Sequence, residues 1–162
     1  MNRPDCADLV AACDWSATPL GPRDRWDPAV AVTVDLVLAS PMPMAFSFGP
    51  AYVLIYNDAY ADLIGTLHPA ALGRPAGDVF GDLWQNSGLG EVIEDVFHSG
   101  QPHAEPETQL TVARGEGGRL EQAFFTRGHS AVRDSSGTVV GVLTVAAETT
   151  QVTRRLQSLG EL

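Results

Sequence analysis

The chain contains no lysine: its ten basic residues are all arginine, they face twenty acidic residues, and the formal net charge is −10. Proteins that bind nucleic acid need clustered cations, because affinity depends on releasing counterions from phosphates. A balance this acidic argues against nucleic acid as a partner.

Cysteines and long apolar runs are also scarce. The two cysteines, Cys6 and Cys13, lie near the start, where a disulfide would close a short loop and stabilise little of the fold. No stretch approaches the roughly 18 apolar residues of a membrane-spanning helix, and the first residues lack the apolar run of a signal peptide. We therefore expect a cytoplasmic protein with no membrane insertion.

The residues that are present suit one compact domain. The chain has 162 residues, of which 44% are hydrophobic and 19% charged, enough to bury a real core. Asp27-Pro28 begins a helix that Ser40-Pro41 ends. Two apolar segments separated by Gly49-Pro50 predict a hairpin.

The remaining pattern extends this order of elements. The predicted helices cover 5–14, 27–40, 59–64, a short turn at 79–84, 89–98 and a C-terminal segment carrying Val152, Leu156 and Leu159; the predicted strands cover 42–48, 52–56, 107–113, 120–132 and 138–147, with a turn at 115–118. Two strands, several short helices and three strands predict an α+β domain with one antiparallel sheet.

Several motifs follow one another in a fixed order. They are DWSATPLGP (14–22), Trp26, Gly49-Pro50, LIYNDAY (54–60), HPAALGRP (68–75) and Val132-Arg133-Asp134. Together, over about residues 14–150, they resemble the N-terminal PAS sensor domain of bacterial sensor histidine kinases. The resemblance implies a five-stranded antiparallel sheet closed on one face by short helices.

The resemblance also implies how the chain is divided. Residues 1–40 would form an N-terminal helical extension for capping or dimerisation, 41–148 the PAS domain, and 149–162 the start of an output helix. Glu148, Thr149 and Thr150 stand where PAS domains commonly carry an Asp-Ile-Thr motif, which implies a signal-relay role.

The function that the resemblance implies is sensory: a small ligand or partner would be bound, and the signal would pass to an effector outside this chain, such as a histidine kinase. A homodimer is expected. The alternatives are a PAS domain that holds no ligand and acts in dimerisation, and a small α+β enzyme. No catalytic residue is assigned, because no nucleophile, phosphate loop or carboxylate dyad stands out; Glu105 and Glu107 are more simply solvated strand residues.

The cofactor is left open, although some classes are disfavoured. Ala76 stands where relatives that form a covalent flavin adduct carry a cysteine, and Leu89 where haem-binding relatives carry an axial histidine. Flavin bound without a covalent bond stays open. The four histidines show no pair at the spacing of metal ligands.

One strand is expected to determine ligand chemistry. Alternation places Phe125, Arg127 and His129 on one face. If the register follows the family that the chain resembles, this face lines a ligand cavity between the sheet and the helices, where it would favour a small anionic or aromatic metabolite. The alternatives are that Arg127 pairs with Glu121 or Glu148, or that this face is exposed to solvent. The full set of candidate cavity residues is Phe46, Phe48, Tyr56, Tyr60, Phe80, Trp84, Val92, Val96, Phe125, Arg127, His129 and Leu143.

Overall fold

The computed structural model describes residues 5–113 and 116–160. Gly115, the first residue of the predicted turn at 115–118, lies outside the described residues. The helices are α1 (Cys6–Ala12), α2 (Pro28–Ala39), α3 (Asp58–Ile64), α4 (Ala76–Phe80), α5 (Asp82–Asn86), α6 (Leu89–Ser99) and α7 (Thr150–Gly160), and the strands are β1 (Met44–Phe48), β2 (Val53–Tyr56), β3 (His103–Ala113), β4 (Leu120–Arg133) and β5 (Val139–Glu148).

The five strands form one antiparallel sheet in the order β2-β1-β5-β4-β3. This confirms the predicted α+β class and the five-stranded sheet. The principal difference from the sequence prediction is β3, which begins at His103 and not at residue 107. Polar residues and Pro106 obscure the strand pattern there, because a bulge interrupts the alternation.

The inner face of the sheet is covered by the helices between β2 and β3. Ile64 of α3 and Leu89, Ile93 and Val96 of α6 pack in the cluster that contains the inward-facing Leu54. The spacing of the α6 residues places them on one side of the helix, as its pattern predicted.

The outer face is covered by the residues that precede the sheet. Val30, Val34 and Val37 of α2 are buried in one cluster with Phe46 and Ile55. Because α2 contributes a buried row of valines, residues 5–40 form part of the packed molecule.

Asn57 joins these layers. Its Oδ1 accepts hydrogen bonds from the backbone N–H groups of Met44 (3.2 Å) and Tyr60 (3.0 Å), and the bond from Tyr60 makes Asn57 the N-cap of α3. Its Nδ2 donates to three carbonyl oxygens, that of Val37 in the last turns of α2 at 2.9 Å and those of Ser40 at 3.2 Å and Met42 at 2.7 Å in the link to β1. One buried side chain therefore fixes the end of α2 against the start of α3.

Among the described residues, every helix falls short of the length and apolar character that crossing a membrane would require.

Candidate functional site

A cavity of about 250 Å³ lies between the inner face of the sheet and the short helices. Its walls are mostly apolar. Six of the residues that form them are Leu63, Leu67, Phe80, Leu83, Phe125 and Ala146. An apolar concavity with a few placed polar groups is the usual form of a small-molecule site.

Among the described residues, Arg127 is the charged one that lines this cavity. Its Nη2 lies 2.6 Å from Oε2 of Glu105, and the two side chains are only 8% and 10% exposed. The contact is an ion pair without the direction of a good hydrogen bond, and Nε of Arg127 has no hydrogen-bond partner among the described residues. A buried donor without an acceptor is costly, so this atom marks a place where an acceptor would stabilise the protein.

His129 lies on the other side of the same carboxylate. Its Nε2 is 3.4 Å from Oε2 of Glu105, and its Nδ1 is 2.8 Å from Oγ1 of Thr144. Burial raises the pKa of Glu105, but the contact with His129 and the charge of Arg127 lower it by more, so the pKa lies below its usual value. Glu105 is therefore ionised at neutral pH and neutralises Arg127.

Tyr60 contributes a second polar group to the cavity wall. Burial raises the pKa of Tyr60 to about 12, and the nearby Arg127 charge opposes the shift. The phenol therefore stays protonated at neutral pH and is available as a hydrogen-bond donor.

A β-bulge in β3 separates two neighbouring glutamates. Glu105 and Thr108 pair with β4 residues that are only two positions apart, so Pro106 and Glu107 together face one residue of β4. Proline has no N–H to donate and is tolerated at such a bulge. The extra residue breaks the alternation, so Glu105 contacts the cavity arginine while Glu107 contacts another element.

Glu107 contacts α7 and the residue that precedes it. Oγ1 of Thr149 and Oγ1 of Thr153 each donate to Oε2 of Glu107 at 2.7 Å. The N–H of Phe124 in β4 donates to Oγ1 of Thr150 at 3.0 Å. The hydrogen bonds from Thr149 and Thr153 lower the pKa of Glu107 below its usual value. The carboxylate is therefore ionised when it holds the helix.

The sequence model of the PAS fold matches residues 40–154, which is more than half of the chain. The chain belongs to the PAS family. No curated protein matches it in sequence.

Solved structures of similar fold agree with this assignment. An RNA-binding light-oxygen-voltage receptor is similar over 90% of this chain and 40% of its own, with a TM-score of 0.57 and 17% identity. A light-oxygen-voltage domain studied with a flavin analogue is similar over 80% and 93%, with a TM-score of 0.52 and 17% identity. A phage VqmA–DPO complex is similar over 80% and 57%, with a TM-score of 0.55 and 13% identity.

At these identities the likeness shows the PAS fold alone. This chain spans less than two thirds of the length of two of these three proteins.

The structure brings part of the predicted site together. The predicted residues that line the cavity are Tyr60, Phe80, Phe125 and Arg127. Those that pack in the inner-face core are Tyr56, Trp84 and Val96. Val92 is half-buried on α6, and His129 contacts Glu105 next to the cavity arginine.

Three predicted cavity residues lie elsewhere in the PAS domain. Phe46, Phe48 and Leu143 are in the outer-face cluster, and the ring of Phe48 meets Trp26 at a centroid distance of 5.3 Å. The prediction assumed that aromatic strand residues line the cavity. The outer face needs large apolar side chains as well, because the N-terminal helices cover it.

The ion-pair partner of Arg127 also differs from the two that the sequence suggested. Glu121 forms an ion pair with Arg119 at 3.6 Å, and Glu148 is the β5 residue opposite Phe125. The partner Glu105 was missed because β3 was predicted to begin at residue 107 and Glu105 was expected to be solvated, whereas its side chain is buried. The signal that could have revealed it is a proline between two glutamates ahead of an alternating strand, which is typical of a bulge.

Proposed function

We propose that this PAS domain is a sensory module in which the cavity binds a small ligand and α7 passes its occupancy to an effector. The observation that carries the proposal is the apolar cavity of about 250 Å³ lined by a buried arginine whose Nε has no acceptor among the described residues. A ligand with an acceptor group would satisfy that donor and cover the apolar walls.

The ligand chemistry that fits this cavity is a small anionic or aromatic metabolite. Phe80 and Phe125 offer apolar contact, while Arg127 and the neutral hydroxyl of Tyr60 are hydrogen-bond donors. Among acceptors, a carboxylate would be favoured, because hydrogen bonds between ionised groups are the stronger kind.

The partners that we propose are a second copy of the chain and a downstream effector such as a histidine kinase, in the cytoplasm and without nucleic acid. Val152, Leu156 and Leu159 of α7 are between 60% and 66% exposed. Their spacing forms an apolar stripe of the kind that pairs with another helix. In this proposal the domain itself catalyses no reaction.

Native mass spectrometry of the freshly purified protein tests ligand binding. We expect a retained mass or, failing that, stabilisation by benzoate or hexanoate in a thermal-shift assay. Ala146→Leu, which fills the cavity, should abolish either effect. The matched control Ala31→Leu, at an exposed position of α2, should preserve it. Protein without retained ligand and without any stabilisation would favour a PAS domain that acts in dimerisation alone.

The chemical class of the ligand is tested by pairing each acid with its alcohol. Benzoate and hexanoate should raise the melting temperature more than benzyl alcohol and hexanol do, and Arg127→Met should remove that difference. Equal stabilisation of both proteins by the acids would refute the role of Arg127 in binding them.

A further inference from the structure

We infer that the bulge of β3 at Pro106 couples the Arg127 side of the cavity to the docking of α7. Glu105 responds to the ligand through its ion pair with Arg127, and Glu107 holds α7 on the sheet. The inference rests on the proposed function, because it gives the cavity of that proposal its route to the output helix. It is carried by two carboxylates on one bulge that hold two different partners.

On the cavity side, Glu105 acts as an internal acceptor for Arg127. Its carboxylate already occupies Nη2 of the guanidinium, at 2.6 Å. A ligand carboxylate that accepts hydrogen bonds from Arg127 competes with Glu105, since two carboxylates at one guanidinium repel each other. Ligand entry therefore weakens the ion pair between Arg127 and Glu105.

On the other side, α7 is attached to the sheet by polar contacts. Within Thr150–Gly160, Thr153 is the one buried residue, and its hydroxyl donates to Glu107. A further contact is made by Nη2 of Arg154 to the carbonyl of Gln122, at 3.3 Å. A helix that buries no large apolar side chain opens at low free energy, so the bonds to Glu107 have a large share in keeping it docked.

The link between the two sides is short. The Cα atoms of Glu105 and Glu107 are at most about 7 Å apart, since each extended residue spans up to about 3.6 Å. Pro106 between them fixes one dihedral angle and donates no ladder hydrogen bond. A displacement of Glu105 is therefore passed to Glu107 with little resistance from β4.

The coupling amounts to two states of one bulge. In the first, Glu105 pairs with Arg127 and Glu107 holds Thr149 and Thr153. In the second, ligand replaces Glu105, the bulge relaxes, and α7 is released. Because linkage is reciprocal, release of α7 also favours ligand binding.

Trypsin cleavage at Arg154-Arg155, within α7, measures helix release on the intact chain without any ligand. We expect Glu107→Ala, which removes the acceptor of both threonine hydroxyls, and Glu105→Gln each to raise the cleavage rate there by about fivefold or more, the lower end of ordinary coupling between sites. Cleavage after Arg25, which is exposed in the turn ahead of α2, is followed in the same digest and reports opening of the molecule away from α7. Glu91→Gln and Glu91→Ala, on the exposed side of α6, are the matched controls and should change neither rate.

The double variant decides whether Glu105 acts through Glu107. We expect Glu105→Gln/Glu107→Ala to be cleaved in α7 no faster than Glu107→Ala alone, because the contacts of residue 107 with the two threonines are already removed. Additive effects would overturn the inference, as would an unchanged rate in Glu105→Gln or an equal rise at Arg25 and in α7. These measurements contain no ligand, so they fail or succeed separately from the binding experiments.

Discussion

At the scale of single residues, the buried pair of Arg127 and Glu105 determines the chemistry of the cavity. A buried charge is tolerated only when it is paired, so removal of one partner is far more costly than removal of both. We expect Arg127→Met to lower the free energy of unfolding by about 3 kcal/mol or more. Arg127→Met/Glu105→Leu should recover most of that loss in urea titrations, whereas two losses that simply add would show that the residues do not interact.

The same carboxylate makes stability depend on pH. Its pKa in the folded protein lies below the ordinary value of 4.5, so the folded state binds the proton less readily than the unfolded state. The stabilisation is complete above about pH 5 and is lost as pH falls through the lowered pKa. Glu105→Gln should therefore make the melting temperature fall less steeply as pH decreases below 5. A variant whose melting temperature falls as steeply as that of the wild type would contradict this account.

At the scale of elements, Asn57 connects α2, β1 and α3 through five hydrogen bonds of one side chain. Its removal takes this partner away from two backbone N–H groups and three carbonyl groups that are buried or half-buried. We expect Asn57→Ala to lower the free energy of unfolding by about 3 kcal/mol or more, since each unsatisfied buried group costs about 1–3 kcal/mol. Asn86→Ala, the same change at an exposed position of α5, should cost little, and equal losses would contradict the assignment.

The elements that the sequence predicted well are those with local signals. The start of α2 at Asp27-Pro28 and its end at Ser40-Pro41 depend on the chemistry of neighbouring residues, a capping side chain at one end and a proline at the other. Glu105 in β3 depends instead on a partner that is 22 positions away in the chain and on a bulge. Its role becomes visible only when the strands are paired, because periodicity carries no information on which strand lies alongside.

The choice of sheet face belongs to the same class of nonlocal information. Alternation groups Phe46 with Phe48 but does not say which side of the sheet they occupy. The family resemblance indicated the fold correctly and still left the sheet face of these residues open. Helices cover both faces of the sheet with apolar side chains, so large apolar strand residues are needed on either side.

At the scale of the whole molecule, the sheet is enclosed from both sides, and the N-terminal helices belong to the same folding unit. Val34 of α2 is fully buried against the outer face, whereas Val32 on the same helix is 67% exposed. We expect Val34→Asp to lower the free energy of unfolding by several kcal/mol, as a charge placed among apolar residues does, and Val32→Asp to change it by about 0.5 kcal/mol or less.

A chain that begins at residue 41 tests the same point more severely. It would expose Phe46, Phe48 and Ile55, which α2 and the preceding turns now cover, and we expect it to aggregate or to unfold at a much lower temperature. Size-exclusion chromatography and thermal unfolding measure this directly. If the shortened chain were monomeric with an unchanged melting temperature, the extension would be a separate appendage, and the outer-face cluster would contribute little to stability. The opposite result makes residues 5–40 a second cover of the sheet, one that the outer face requires in order to keep its large apolar side chains out of water.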